Sequence, residues 1–169
     1  MNRTILDPAT LEPGSSIARV ATAAADLGLA IEIARMEQST RTAEEAADAC
    51  GCATGQIVKS LIFENAGTGS LALLLVAGSH NADLDYLRAE HGLDLKRCDA
   101  RRVRDETGFA IGGVAPIGHM TVVPVHMDEA LLTHDIVWAA AGRPDSVFSV
   151  DPKALAEKVG ATVIPVRPT

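Results

Sequence analysis

Residues 57–77 read IVKSLIFENAGTGSLALLLVA, two apolar runs on either side of a short polar segment. The runs at 57–64 and 70–77 have the length and the aliphatic composition of β-strands. The linker at 65–69 (NAGTG) has the composition of a hairpin turn. We therefore predict an antiparallel β-hairpin, whose second strand is much too short to cross a membrane.

Helices and further strands are predicted on both sides of this hairpin. Five helices are predicted from capping residues or proline at their starts and from glycines at or near their ends. They run from Ser16 to Gly28, Thr42 to Gly51, Asp83 to Gly92, Asp99 to about Gly108 and Pro152 to Val159. Apolar alternation predicts short strands around Ile31 and Ile33 and over residues 120–126, 136–141, 146–150 and 161–166.

The order of these elements lacks the regular strand–helix alternation of a parallel sheet. The predicted class is therefore α+β, with a mixed or antiparallel sheet flanked by helices. A length of 169 residues suits a single domain over residues 1–169. Residues 1–14 carry little pattern and are expected to be an irregular N-terminal extension.

Composition limits the cellular setting and the partners. The N-terminus lacks the apolar core of a signal peptide, and the three cysteines show no Cys-x-x-Cys spacing, so we expect reduced thiols in a cytoplasmic protein without a membrane partner. The net charge of −7 argues mildly against a general nucleic-acid binder. Residues 96–104 (KRCDARRVR) are basic, however. Either they form a solvated helix face, or Arg101, Arg102 and Arg104 hold a polyanion.

Several familiar kinds of site are absent from the sequence. It contains no Gly-x-Gly-x-x-Gly and no Gly-x-Ser-x-Gly, and Val58 stands where a phosphate loop ending in Lys59-Ser60 would need glycine. The five histidines are far apart, so no local zinc motif exists, although a metal held by dispersed ligands stays open. We predict a site without metal or cofactor.

Two features are left as candidates for chemistry. Lys59 shares one side of its predicted strand with Ile57 and Leu61, so its ammonium either reaches solvent at a sheet edge or points into a pocket. Residues 108–119 (GFAIGGVAPIGH) are neutral and rich in glycine. They are either an ordinary surface loop or a loop whose backbone N–H groups approach a ligand.

With Lys59 and this loop, the sequence resembles the YbaK/EbsC-like, prolyl-tRNA-synthetase-associated aminoacyl-tRNA editing domains over roughly residues 25–160. The matching segments appear in the family's order: residues 39–47 (STRTAEEAA), 56–63 (QIVKSLIF), 95–106, 112–116 (GGVAP, the family's Gly-x-x-x-Pro loop) and 141–144 (AGRP). Each motif alone is weak, and their order and spacing carry the resemblance.

The resemblance implies an α+β fold around a coiled mixed sheet and hydrolysis of the ester that joins a wrong amino acid to tRNA. The chain carries no synthetase motif, which is typical of a free-standing member that acts in trans, on the products of a separate synthetase. Lys59 would contact a phosphate or orient the terminal adenosine. Gly112 and Gly113 would position the carbonyl and water, and Val114, Ala115, Pro116 and Gly142 would frame the acyl group. In some members a ribose hydroxyl of the substrate assists.

The identity of the acyl group stays open, with alanine, cysteine, serine and threonine as candidates. Hydroxyls of Ser39, Thr40 and Ser60 could serve a small or hydroxylated acyl group, or could equally bond their own backbone. His119 is a further candidate for the site. Two other readings are a module of the same fold that binds tRNA ends or another nucleotide without hydrolysis, and a general esterase of small molecules.

Overall fold

The computed structural model describes residues 3–169. Within them the chain runs through nine strands and five helices: β1 (Arg3–Ile5), α1 (Ser16–Leu27), β2 (Glu32–Met36), α2 (Ala43–Cys50), β3 (Val58–Asn65), β4 (Leu71–Ala77), α3 (Leu84–His91), β5 (Leu95–Arg97), α4 (Ala100–Thr107), β6 (Val125–Asp128), β7 (Val137–Ala140), β8 (Ser146–Val150), α5 (Pro152–Val159) and β9 (Thr162–Ile164). This is the predicted α+β class. No helix in this range has the length and apolar character needed to span a membrane.

The strands form two sheets. The first has the order β1-β2-β8-β7 and is antiparallel throughout. The second has the order β5-β3-β4-β6-β9 and is mixed, because β6 runs parallel to both β4 and β9. The predicted hairpin is confirmed as β3 and β4, which pair in register from Val58 opposite Ala77 to Glu64 opposite Leu71.

The two sheets enclose the main hydrophobic core. Phe148 from the first sheet and Leu73 from the second are both fully buried in this core, together with Phe109 and Ala115 from the segment between α4 and β6. Burying one such aliphatic or aromatic side chain contributes about 1.5–3 kcal/mol. The neutral segment at 108–119 is therefore held largely by its own apolar side chains, which explains its lack of charge.

The predicted helix ends are confirmed where local chemistry determines them. Ser15 Oγ accepts the N–H of Ala18, and Asp99 accepts the N–H of Arg101. Gly28 and Gly108 end α1 and α4 with φ of 70° and 81°, a backbone conformation that favours glycine.

Two expectations need correction, and one strand was not predicted. Residues 120–124 are not a strand, because the N–H groups of Met120 and Thr121 bond carbonyls at the end of α4 and Pro124 has no N–H to donate. Residues 1–14 are not wholly irregular: β1 pairs with β2, and Pro8–Thr10 form a 3-10 turn, while residues 1–2 lie outside the described residues. The short edge strand β5 was not predicted.

Candidate active site

A cleft of about 630 Å³ opens beside the outer edge of β3. An isolated parallel bridge between Ile57 and Trp138 joins the two sheets at one end of this edge. At the other end β5 covers β3 from Phe63 onward. Between these points no strand of residues 3–169 pairs with the outer edge, and the cleft is walled by β7, by the start of α2 and by the loop after α4.

The backbone of β3 presents hydrogen-bonding groups to this cleft. Gly78 N–H donates to Ile57 O at 2.7 Å, and Asn65 N–H donates to Ser70 O at 2.8 Å, so the odd-numbered residues of β3 bond β4. The alternation of an antiparallel ladder turns the N–H and C=O groups of Ser60 and Ile62 outward. Both residues line the cleft, so a ligand there meets two backbone donors and two acceptors.

Ser60 adds a side-chain hydroxyl to this edge. Its Oγ is shielded from solvent and has no hydrogen-bond partner among the described residues. Leaving a buried polar group unpartnered costs roughly 1–3 kcal/mol. A polar group of a ligand in the cleft would remove that cost.

Lys59 lies at the cleft and is partly buried. Its ammonium donates to the carbonyl of His80, so the side chain is held inside the protein rather than extended into solvent. Burial lowers the pKa of Lys59, and the negative charges of Glu44 and Asp128 partly oppose this effect. Of the two readings of Lys59, extension of the ammonium into solvent is therefore disfavoured, and the residue lines the cleft while its ammonium is held at the carbonyl of His80.

The loop after α4 contributes only part of what was expected. Ile111, Gly112 and Val114 line the cleft, and Ile111 is 61 % exposed at its rim. Gly112 has a φ of 94°, which explains the glycine at this position. Ala115 and Pro116 are buried behind this surface and do not line the cleft.

Gly113 and Gly142 lie where the backbone packs closely against other segments. A Cβ on Gly113 would lie 3.0 Å from Arg143 Cα, and a Cβ on Gly142 would lie 2.9 Å from the backbone of Ser16. Neither glycine lines the cleft. Gly113 lets the loop pack on the turn that carries Arg143, and Gly142 lets that turn pack on the start of α1.

His119 also supports the loop from behind. Its Nε2 lies 2.7 Å from the carbonyl of Ala115, so this nitrogen carries the proton and donates. The ring packs edge-on against Phe109, and burial lowers the pKa of His119. His119 is therefore a neutral packing residue outside the cleft. Ser39 is exposed and also lies outside it, whereas Thr40 lines it.

The arginines of the basic segment differ in whether protein groups already bind their guanidinium groups. Arg102 bonds Glu64, Glu106 and the carbonyl of Gly69, so it has a structural role. Arg101 and Arg104 are exposed on α4; the guanidinium of Arg101 lies 4.0 Å from Asp105, and no ion pair of Arg104 is found within residues 3–169. Arg97 lines the cleft itself.

Besides Lys59, the cleft contains Cys98, whose thiol is potentially reactive. Burial raises the pKa of its thiol, so it stays protonated at neutral pH and is a poor nucleophile. No group of three or more His, Cys, Asp or Glu residues within positions 3–169 is arranged to hold a metal ion. The hydrogen-bonding groups of the cleft are thus mainly backbone groups, hydroxyls and cations.

Trp138 and Arg97 are among the cleft residues that were not predicted as site residues from the sequence. Trp138 forms part of the wall, and its ring is covered by the guanidinium of Arg3, 4.8 Å from the ring centroid. Arg97 was noted only as part of a basic run. Neither has a local signal, because their position depends on how β5 and β7 meet β3.

Comparison with known proteins places this chain in a family. A model of the aminoacyl-tRNA editing domain matches residues 37–158. The chain is 31 % identical to the protein YwhH of Bacillus subtilis over 75 % of this chain and 80 % of that protein. It is 26 % identical to the "Putative Cys-tRNA(Pro)/Cys-tRNA(Cys) deacylase EbsC" of Enterococcus faecalis, over 68 % of this chain and 70 % of that protein.

A solved structure agrees with these matches. It is described as "a putative trans-editing enzyme for prolyl tRNA synthetase", and it superposes with a TM-score of 0.85 at 40 % identity, covering 95 % of this chain and 100 % of that one. The resemblance inferred from the sequence is confirmed: the chain belongs to the aminoacyl-tRNA editing domain family.

Proposed function

We propose that this protein hydrolyses the ester bond of mischarged aminoacyl-tRNA, with the ester at the outer edge of β3. The observation that carries the proposal is the unpaired edge at Ser60 and Ile62, which opens into a cleft that also contains Lys59 and Gly112. The proteins named as a deacylase and as a trans-editing enzyme support the same activity.

The reaction needs few side chains. Water adds to the ester carbonyl, the carbonyl oxygen becomes negatively charged, and the ribose oxygen leaves with a proton. Backbone N–H groups of Ser60, Ile62 and Gly112 are candidates to stabilise that negative charge. In an enclosed site one such donor lowers the activation free energy by on the order of 3 kcal/mol. The neighbouring ribose hydroxyl can orient the water, and Lys59 holds a phosphate of the acceptor end.

The acyl group that fits this cleft best is small or hydroxylated. Walls made of Val58, Ile62, Val114 and Ala139 are apolar and limit its size. One methylene changes binding by only about 1–3 kcal/mol, which is the margin that editing must supplement. The unpartnered Ser60 hydroxyl favours an acyl group that can hydrogen-bond, so serine or threonine ranks with alanine and cysteine as a candidate.

The body of the tRNA would approach across α4. Arg101 and Arg104 lie exposed on this helix, and Arg97 lies at the cleft, so phosphates of the acceptor stem have cations along one path. Arg102 is not proposed as a phosphate contact, because two carboxylates and a carbonyl already bind its guanidinium. The substrate would be the product of a synthetase released in error, which makes this protein act in trans.

A panel of tRNAs charged with alanine, cysteine, serine, threonine and proline tests the proposal. The expected result is release of one or two of the small amino acids, with proline left in place. Trp138 is the only tryptophan of the chain and lines the cleft, so its fluorescence reports binding in the same samples. Binding without turnover on any tRNA would support the non-hydrolytic module instead, and equal turnover of simple amino-acid esters would support a general esterase.

A further inference from the structure

Asp128 is a buried carboxylate that the proposed reaction does not use. Its side chain is 1 % exposed, and both oxygens are engaged. Oδ2 accepts the N–H of Ala77 at 3.1 Å, and Oδ1 accepts the N–H of Ala130 at 3.0 Å. Oδ2 also lies 3.0 Å from Nδ1 of His80, which therefore carries its proton and donates. One carboxylate thus ties together the end of β4, the end of β6 and the turn that carries His80.

His80 is in turn joined to Lys59. The ammonium of Lys59 donates to the backbone carbonyl of His80. The backbone N–H of His80 donates to Ala77 O at 2.8 Å, so its side chain and its backbone are both fixed. The carbonyl that holds Lys59 is therefore not part of a loose loop. Its position depends on the contact between His80 and Asp128.

We propose that Asp128 and His80 are positioning residues for Lys59, holding its ammonium at the edge of the cleft before substrate arrives. The inference rests on the proposed function, in which Lys59 contacts the acceptor end of the tRNA. A lysine side chain that is already ordered loses less rotamer freedom on binding, so the contact is made in a single geometry. The bound ester is then aligned with the outer edge of β3.

The charges around Lys59 make this arrangement measurable. Glu44 on α2 and Asp128 at the end of β6 act on the ammonium, and the group in direct contact is the neutral carbonyl of His80. Burial lowers the pKa of Lys59, and both carboxylates raise it. Removing the charge of Asp128 should therefore lower the pKa of Lys59 further, and less of the lysine would be charged at high pH.

The first test observes Lys59 directly, by NMR titration of its side chain in the full chain. Asp128→Asn is expected to lower the pKa of Lys59, since an opposing charge that raises it is lost. His80→Ala is expected to change the chemical shift of the Lys59 ammonium, whereas His80→Asn, whose amide can replace Nδ1–H, should restore it. Glu129→Gln removes an exposed charge from the next residue and should change neither quantity.

The second test measures deacylation against pH, with uncatalysed ester hydrolysis subtracted. Asp128→Asn and His80→Ala are expected to lower kcat/KM by on the order of tenfold or more. In Asp128→Asn the loss of activity at high pH should also begin at a lower pH. His80→Asn should recover most of the rate. A purely structural role would reduce the folded fraction without moving the pH profile.

The outcomes separate this inference from the proposed function. Should Asp128→Asn and His80→Ala both leave the pKa and chemical shift of Lys59 at their wild-type values, the positioning role is wrong, whatever the activity. Should Asp128→Asn fail to fold, the His80→Ala and His80→Asn pair decides alone. A wild-type protein that deacylates no mischarged tRNA would instead contradict the proposed function, while the titration of Lys59 would still be interpretable.

Discussion

The two halves of β3 differ in what lies beside their outer edge. In the second half, Phe63, Glu64 and Asn65 pair with β5, and Glu64 binds Lys96 at 2.7 Å and also Arg102. In the first half, no strand in the described part of the chain pairs with Ser60 and Ile62, whose outward backbone groups face the cleft. The same strand is thus structural at one end and open to a ligand at the other.

This difference shows how a site can be built with few reactive side chains. Where β5 covers the strand, charges neutralise one another and the backbone is satisfied. Where β5 ends, the sheet leaves backbone donors unpaired inside a partly enclosed space, where an electrostatic interaction is stronger than in water. Replacing a cation beside the open half should therefore lower deacylation much more than replacing one beside the covered half.

The largest expected effect comes from the lysine in the open half. Lys59→Ala should lower kcat/KM for mischarged tRNA by about a hundredfold or more, because a preorganised charge at the substrate is lost. Lys96→Ala is the matched control in the covered half and should stay within a factor of about two. Single-turnover deacylation measures both. Equal losses for the two lysines would remove the distinction between the halves.

The next effect concerns the hydroxyl of Ser60. Because Oγ has no partner within the described residues, Ser60→Ala should leave the melting temperature unchanged or slightly higher. Deacylation of seryl- or threonyl-tRNA should fall about tenfold relative to alanyl-tRNA, corresponding to one lost hydrogen bond. A parallel fall for all acyl groups would assign Ser60 to the general geometry of the cleft and not to selectivity.

A smaller effect is expected from the cations on α4. Arg101→Gln and Arg104→Gln should each flatten the dependence of log K on log salt for tRNA binding, by roughly 0.7–0.9 if each contacts one phosphate. Arg102→Gln is the comparison, since its guanidinium is already bound and its loss should lower stability instead. If both variants leave the salt dependence unchanged, α4 is an ordinary solvated helix face that does not contact tRNA phosphates.

The smallest effect belongs to Glu64 in the covered half. The hydrogen bond from Lys96, and the charges of Lys96 and Arg102, hold the pKa of Glu64 below its usual value. A carboxylate with a depressed pKa contributes stability above its unfolded pKa of about 4.3 and loses it as pH falls through the folded value. Glu64→Gln should therefore lower the melting temperature at neutral pH, and the difference should disappear in acid. Deacylation should be unaffected at pH 7.

Much of the fold was predictable because its signals are local. Ser15 and Asp99 cap helices, Gly28 and Gly108 end them, and the hairpin at 57–77 forms as its two apolar runs predict. The segment at 120–124 was mispredicted because its N–H groups bond to the end of α4, a tertiary contact that apolar alternation does not reveal. β1 depends in the same way on pairing with β2.

The site was predictable in part, for a related reason. Lys59, Ser60, Gly112 and Val114 belong to segments whose composition is unusual, and all of them line the cleft. Trp138 comes from a strand with an ordinary pattern, and Arg97 from a basic run whose short strand β5 was not predicted, so both reach the cleft only through sheet topology. Conversely, Gly113, Gly142 and His119 are in conspicuous segments, yet they support packing behind the surface.

Binding of the ester at the outer edge of β3 is central to the proposed function, and amide NMR tests it directly. The probe is a non-hydrolysable analogue in which alanine is joined to 3′-amino-3′-deoxyadenosine by an amide. We expect the N–H signals of Ser60 and Ile62 to shift and to become protected from hydrogen exchange on binding, while that of Glu64, covered by β5, does not change. Binding that shifts Glu64 or distant amides but leaves Ser60 and Ile62 unaffected would contradict it.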